Sequence, residues 1–422
     1  MKIAILGFGV EGKSAVDWVR KHYPEAEVEV FDQKEVSGVP EGVKLKVVKD
    51  FGVVDFTTAD MVIRSPGIRP DVVKNTTLTS VTKIFFEKCP AKIIGVTGTK
   101  GKGTTCSLIA SILNEAGRKV WLIGNIGVAA LDVLDEIDAE DIVVYELSNF
   151  QLFDMEQSPH IAVIVHLEVD HQDYHKSLDE YMGAKANITK WQMADDVVVY
   201  DRTNQFAIDM AEKSKGKLVE FPAEDWSKRD VLERMLDNLV LPGAHNRFNG
   251  EAAICAVQEA GVTDEQVIGR GLKAFTGLPH RLKFVGEVGG VKYYDDSIST
   301  TVGSVEAAMV AFDAPEILIL GGSSKGVDFA GLATAIAEST NVKHVVLIGP
   351  EGERIGGFLR EAGYEKMSSV KLDYTMTDVL EEVNQFATEG DVVILSPACA
   401  SFDRYKNYAE RGDDFIRAVE AL

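Results

Sequence analysis

The chain has 422 residues, 45% of them hydrophobic, and a net charge of −22, so it is too long for one ordinary core and has material for roughly two to four. That charge repels nucleic acid and anionic membranes, and no apolar run approaches the roughly 18–20 residues that span a bilayer, so neither nucleic acid nor membrane insertion is expected. Cys89, Cys106, Cys255 and Cys399 are scattered without a C-x-x-C pair, which argues against a disulfide framework or zinc site and for a reducing cytoplasm.

The N-terminal KIAILGFG reads as a strand and a glycine turn, its apolar run too short for a signal peptide. GKSAVDWVRKH reads as a helix and EVEVFD as a second strand. Gly7-Phe8-Gly9-Val10-Glu11-Gly12 fits G-x-G-x-x-G, and Asp32 lies 20 residues beyond Gly12 at the end of that second strand. Such glycines permit a tight turn and close approach to a pyrophosphate, with the acid free for a ribose hydroxyl. NAD(P), another diphosphate-containing nucleotide and an unliganded turn all remain open on these residues. Ser65-Pro66-Gly67, after the strand ADMVIR, lends a hydroxyl or amide to the same crevice or is a plain turn.

At AKIIGVTG the pattern restarts. GVTGTKGKGTTC (95–106) resembles the phosphate-binding loop G-x-x-x-x-G-K-[ST], but Gly103 stands where a Mg²⁺-binding hydroxyl belongs, and Thr104 and Thr105 follow it. Its glycines let backbone N–H groups converge on phosphate oxygens, and Lys102 serves as a point charge. TTCSLIASILNEAG is a helix; DIVVYELS, HIAVIVHL and DDVVVY are strands. Glu146 ends the first of these, where a Mg²⁺-binding carboxylate would stand. HLEVDHQDYH (166–175) packs three His and three acids into ten residues, the composition of a cation or phosphate site. Two glycine loops of different chemistry imply two different nucleotides.

A third start follows GLPHRLKFV: EVGGVKYYDDS is strand-like, and EILILGG, HVVLIGP and DVVILSP are strands. Strands alternating with helices predict an α/β protein of parallel sheets with crossover helices. Three domains are read, roughly 1–91, 92–281 and 282–422, with linkers at KCPAK (88–92) and GLPHR (277–281).

Taken in order, GxTGTxGK, GNIG (124–127), ELSNFQL and DHQDYH resemble the Mur ligases, ATP-dependent amide-bond-forming enzymes of peptidoglycan synthesis. LPGAHNRFNGEAA (241–253), GLPHRLKFV (277–285), DDSISTTVGS (295–304), GGSSKGVDF (321–329) and LSPACASFDRYKNYAERGDDF (395–415) narrow the resemblance to the branch that adds D-glutamate to UDP-N-acetylmuramoyl-L-alanine. It runs from Gly7 to Phe415. The resemblance implies a Rossmann-like UDP domain, a central P-loop ATPase domain and a Rossmann-like amino-acid domain, in a monomer. It turns the first loop from NAD toward a UDP-sugar, with Gly9, Val10, Glu11, Asp32, Ser65, Pro66 and Gly67 lining it.

For ATP the same resemblance implies Gly98, Thr99, Lys100, Gly101, Lys102, Gly103, Thr104, Thr105, Asn125, Asn246, Asn249, Arg281 and Asp296. It implies two Mg²⁺ ions held by Thr104, Glu146, His171 and a carbamylated Lys185, with Lys102, His171 and Lys185 catalytic and His171 also a candidate base for the incoming amine. Thr300, Lys325, Ser401 and the backbone near Tyr408 would grip the two carboxylates of glutamate. On its residues alone, Lys185 reads as a surface helix lysine, Asn246 and Asn249 as cap residues, and Ser401 as a cap for the following helix. Two departures stand out. Gly103 follows the spelling of folylpolyglutamate synthases, a related ligase family, and Ile298 replaces a lysine that helps neutralise the transferred phosphate. They keep open a folate-type ligase and a non-catalytic nucleotide-binding regulator, beside the NAD-dependent oxidoreductase that Gly7–Gly12 and Asp32 suggest.

Overall fold

The structure is a computed structural model that describes residues 1–422 other than 75, 125–127, 169–173, 224, 225 and 325, and only the backbone of 226–228. The chain divides into two compact units, Met1–Leu239 with Arg247–Phe275, and Val240–Asn246 with Thr276–Leu422.

The first unit holds two parallel sheets. β1 (Lys2–Leu6), β2 (Glu27–Asp32), β3 (Lys44–Val47), β4 (Met61–Arg64) and β5 (Leu78–Ser80) lie in the order β3-β2-β1-β4-β5. β6 (Lys92–Thr97), β7 (Val120–Gly124), β8 (Ile142–Glu146), β9 (Ile161–Ile164), β10 (Val197–Asp201) and β11 (Lys217–Phe221) lie in the order β11-β10-β9-β6-β8-β7. Val, Ile and Leu fill β1, β6, β8 and β9 because helices cover both faces, so these strands read as continuous apolar runs. The strand order reverses at β1 and again at β6. In open α/β sheets, ligands bind outside the strands' carboxyl ends at such points, and both glycine loops leave the sheets there.

Sequence explains the helices that follow these loops. Val10–His22 buries Ala15, Val16, Trp18 and Val19, and ends in Arg20, Lys21 and His22, which complement the C-terminal end of its dipole. Lys102–Glu115 is buried on nearly every side, wedged between its sheet and the helix Glu265–Ala274, where Ser111 Oγ donates to the Gly271 carbonyl at 2.7 Å. The two sheets of this unit share one core: Phe85 and Tyr145 meet edge to face at 5.5 Å, and the Tyr145 hydroxyl donates to Thr82 Oγ1 at 3.4 Å.

The second unit carries a mixed sheet. β12 (Lys283–Val288), β13 (Val291–Asp295), β14 (Glu316–Gly321), β15 (Val342–Ile348), β16 (Met367–Ser369) and β17 (Val392–Leu395) lie in the order β12-β13-β17-β14-β15-β16. β12 and β13 pair antiparallel, and the other pairs are parallel. This corrects the single strand-like segment read at EVGGVKYYDDS. Gly289 and Gly290 take φ of +59° and +77°, the pair of left-handed residues that a two-residue hairpin turn demands.

Candidate active site

At the first loop, Gly7 has φ +82° and its amide donates to the Phe31 carbonyl at 2.7 Å. A Cβ on Gly12 would strike the Gly7 carbonyl, and one on Gly7 would meet Ser65 Oγ at 2.9 Å, so the turn closes only with glycine. Ser65 Oγ donates to the Gly7 carbonyl at 3.2 Å, which brings the Ser65–Gly67 loop beside the glycine loop. Gly9 precedes the helix without a side-chain cap, leaving first-turn amides available to an anion, and Val10 beside it is 76% exposed.

The two acids of this loop serve different ends. Asp32 accepts the Phe8 amide at 2.9 Å and the Lys34 amide at 3.0 Å, fixing the loop's shape. Glu11 turns toward the other sheet and accepts Gln151 Nε2 at 2.7 Å. Its second oxygen is buried with no partner among the described residues, and burial pushes its pKa up to about 7, against the pull of Gln151 and Arg64.

At the second loop, Gly101 is the N-cap of Lys102–Glu115 with φ +86°, again without a side-chain cap. A Cβ there would strike Asn249 Oδ1, so Asn249 lies directly against the loop. Thr99 Oγ1 is hydrogen-bonded to the Glu168 carbonyl at 3.0 Å and to the Tyr181 hydroxyl at 3.0 Å. Exposed Lys100 pairs with Glu168 at 2.8 Å. Lys102 Nζ donates to the Gly98 and Thr99 carbonyls, both at 3.0 Å.

Lys185 is the largest surprise against its plain reading. It lies on the helix Leu178–Lys190 and is 1% exposed. Its Nζ donates to the same Gly98 carbonyl at 2.7 Å and sits 4.9 Å above the Tyr181 ring centre. The helix tucks this lysine inward because Tyr181, Met182, Ala184, Ala186 and Ile188 bury with it. Helical periodicity alone cannot separate a buried ammonium from a solvated one.

Thr104 and Thr105 are both buried, and Thr105 Oγ1 has no partner among the described residues. Glu146 closes β8 in register with Val96 of β6 and Gly124 of β7. It lies close enough to the Cys106 thiol to push that group's pKa up further, after the larger effect of burial, while Lys102 opposes the rise. A hydroxyl and a carboxylate are hard oxygen donors of the kind Mg²⁺ takes beside phosphate oxygens and water, and Thr104 and Glu146 supply that set at the loop's end of the sheet. Asn125 and His171 lie outside the described residues.

In the second unit, Asp296 is buried and accepts the Leu282 amide at 3.1 Å and Ser396 Oγ at 2.7 Å. Burial raises its pKa to about 6, with Ser299, Ser396, Leu282 and Arg281 opposing. Asn246 sits inside the helix Ala244–Glu259 and donates from Nδ2 to the Pro242 carbonyl at 2.6 Å, so it is not the cap its residue type suggests. Ser401 is not one either: Asn407 caps Tyr408–Glu420 by accepting the Glu410 amide at 2.9 Å. Ile298 is half-buried, and its amide donates to the His280 carbonyl at 3.0 Å.

The residue the sequence reading passed over here is Arg411, inside the quoted RGD segment. Its buried guanidinium donates to Ser297 Oγ and the Ser297 carbonyl, both at 2.9 Å, to the Cys399 carbonyl at 3.1 Å and to the Ala400 carbonyl at 3.3 Å. Ser297 Oγ donates in turn to the Tyr408 carbonyl at 2.7 Å. One side chain thereby ties together the segments that carry Thr300, Ser401 and Tyr408. Beside it, Asp295 Oδ2 and His280 Nδ1 are 2.7 Å apart. This contact raises the His280 pKa above its ordinary value, and burial partly offsets it. A Cβ on Gly412 would strike the His280 ring. Lys325 lies outside the described residues.

A family model described as the Mur ligase middle domain matches residues 96–257, and one described as the Mur ligase glutamate ligase domain matches residues 280–399. UDP-N-acetylmuramoylalanine--D-glutamate ligase of Acetivibrio thermocellus is 35% identical, with 100% of this chain and 96% of that one covered. The enzyme of the same name from Clostridium acetobutylicum is 34% identical at the same coverage. A crystal structure of UDP-N-acetylmuramate-alanine ligase from Thermotoga maritima superposes with a TM-score of 0.61 at 19% identity, covering 100% of this chain and 99% of that one, and shares the fold. With two matched domains and relatives this similar along its whole length, the chain belongs to the Mur ligase family.

Proposed function

We propose that the protein, an ATP-dependent ligase of this family, joins D-glutamate to UDP-N-acetylmuramoyl-L-alanine through an acyl phosphate in peptidoglycan biosynthesis. The observation that carries this reading is the 35% identity, over the full chain, to a ligase of that name. On this reading the three sheets belong to three domains near 1–91, 92–281 and 282–422, serving UDP-sugar, ATP and amino acid in turn, in a cytoplasmic monomer. No helix among the described residues is long and apolar enough to cross a membrane.

A carboxylate is a poor electrophile because its oxygen leaves badly. Transfer of the γ-phosphoryl group of ATP to the substrate's alanyl carboxylate expels ADP and makes the acyl phosphate. The neutral amine of D-glutamate then attacks the acyl carbon, the C–O bond to phosphate breaks, and the amine's proton passes to a base. His171 is the candidate for that base. Charge on the phosphates has to be neutralised throughout. Lys102 does this by exchanging the Gly98 and Thr99 carbonyls for β- and γ-oxygens, and the uncapped amides of Gly101–Gly103 cradle the same groups. Thr104, Glu146 and His171 would hold Mg²⁺, which when bound supplies further positive charge to the phosphates.

Lys185 is proposed to act as a carbamate. Free lysine titrates near 10.4, so reaction with CO₂ requires the neutral amine. A buried position favours that form, and the product is an anion with oxygen donors. Asn125, Asn246, Asn249, Arg281 and Asp296 would line ATP; Thr300, Lys325, Ser401 and Tyr408 would hold glutamate; Gly9, Val10, Asp32 and Ser65–Gly67 would line the UDP-sugar.

Phosphate release from ATP tests the reading. It is expected to need both UDP-N-acetylmuramoyl-L-alanine and D-glutamate, and to fail with L-glutamate. No release with that pair overturns the proposal. A second reading, glutamate addition to a folate, rests on Gly103. Turnover with a reduced folate and L-glutamate would favour it.

A further inference from the structure

Arg64 ends β4 and is 0% exposed. Its Nη1 donates to the Ile68 carbonyl at 3.1 Å, with the Pro66 and Ser65 carbonyls at 3.4 and 3.5 Å. Its Nη2 donates to the Phe150 carbonyl at 3.3 Å and pairs with Asp154. Asp154 also takes Lys83 at 3.0 Å. One half of the fork therefore collects the loop that follows β4 in the first sheet. The other half grips the segment just after β8 of the second sheet, from Phe150 inside the Ser148-capped helix Asn149–Leu152 to Asp154, two residues beyond its end.

Burying a guanidinium costs desolvation that an apolar side chain in this interior position would not incur. Its Nε finds no partner among the described residues, so the site is not optimised for the ion as such. What a guanidinium does here that a leucine cannot is hold carbonyls of two separate segments at fixed angles from one rigid plane. The first segment includes Ser65–Gly67, proposed to line the UDP-sugar, and the second begins four residues after Glu146 in the chain.

We propose that Arg64 is a positioning residue that locks the Ser65–Ile68 loop to the Phe150–Asp154 segment, and so sets the alanyl carboxylate of the UDP-linked substrate in line with the γ-phosphate of ATP. This rests on the ligase reading above. Arg64 touches neither reactant and acts only through the backbone it holds.

Steady-state kinetics of Arg64→Lys and Asp154→Asn, with thermal melts, test it. Lysine keeps the charge and loses the fork. Arg64→Lys is expected to raise KM for UDP-N-acetylmuramoyl-L-alanine about tenfold or more and to lower kcat, while KM for ATP stays within about twofold. Asp154→Asn, which leaves the fork on its carbonyls, is expected to shift the same ratio less. Equal shifts in both KM values, or a lowered melting temperature with KM values unchanged, overturn the inference. If Arg64→Lys does not fold, an unaltered KM ratio in Asp154→Asn overturns it. A wild-type protein that releases no phosphate with the UDP substrate defeats the ligase reading itself, and the inference with it.

Discussion

Gly7 and Gly101 take left-handed φ of +82° and +86°, and each stands at the mouth of a helix whose first amides no side chain caps. Both loops leave a parallel sheet where the strand order reverses. They differ in the charge brought to that common backbone. Around the first stand Asp32, spent on the Phe8 and Lys34 amides, and Glu11, drawn off to Gln151. Around the second, Lys102 and Lys185 both donate from Nζ to the single carbonyl of Gly98. A loop of the first kind can hold a diphosphate by backbone amides alone, which suits a group that only has to be held. The second adds the ammonium of Lys102, which suits it to the phosphoryl transfer proposed for it. Backbone geometry thus makes an anion site, and the added side chains decide whether it does chemistry.

The harshest test of that difference is charge removal at each loop. Lys102→Met is expected to cut turnover by about 10²–10³, whereas Lys13→Met, which removes an ammonium 5.7 Å from the Phe8 ring in the first loop, should change it by less than about threefold. Comparable losses from the two would mean that the loops share one kind of work. Next comes the displaced hydroxyl. Thr104→Ala should lower turnover by about tenfold or more, with partial recovery at high Mg²⁺, and Thr105→Ala far less. Equal tolerance of both changes would misplace the metal.

A smaller effect separates the loops by pH. Glu11 titrates at about 7 when folded against an ordinary 4.5, so the folded state keeps a proton that the unfolded chain releases. Its contribution to stability is complete below about pH 4.5 and is lost as pH rises through about 7. Glu11→Gln should therefore flatten unfolding free energy against pH across that window, by up to about 1.4 kcal/mol per pH unit. Denaturant melts at successive pH values read it, and an unaltered slope refutes the assignment.

The mildest test lies in the other unit. Glu316 starts β14 at 0% exposure, neither carboxylate oxygen has a partner among the described residues, and burial raises its pKa to about 8. Glu316→Leu should raise the melting temperature by about 2–4 °C or more at pH 8 and less at pH 5, with turnover unchanged. A lower melting temperature at pH 8 would reveal a partner for the carboxylate.

Much of this was legible in the residues. Continuous apolar runs give β1, β6, β8 and β9, because both faces of those strands are covered. Both glycine loops carry their own spelling, and the order of motifs gives the family. Edge strands such as β3, β5 and β16 are only three or four residues long, too short for a period to register. Side-chain destinations were the harder part. Lys185 and a solvated helix lysine look the same in sequence, and Glu11 stands in a helix's first turn whether it faces a ligand or Gln151. Arg64 and Arg411 act across separations of 90 and 114 residues, which no local pattern encodes.

On the proposed reading, in which Thr300, Ser401 and Tyr408 hold glutamate, the Arg411 network also bears on how amino-acid specificity can change over evolutionary time or at the bench. Because one guanidinium underwrites the segments of Ser297, Cys399 and Ala400 at once, none of them can be exchanged alone without leaving the others unsupported. A chimera that imports a relative's 396–401 segment should stay folded only if the 295–300 segment and the start of the Tyr408 helix travel with it. Retargeting this ligase to another amino acid is then a matter of transplanting a cassette rather than repainting a wall.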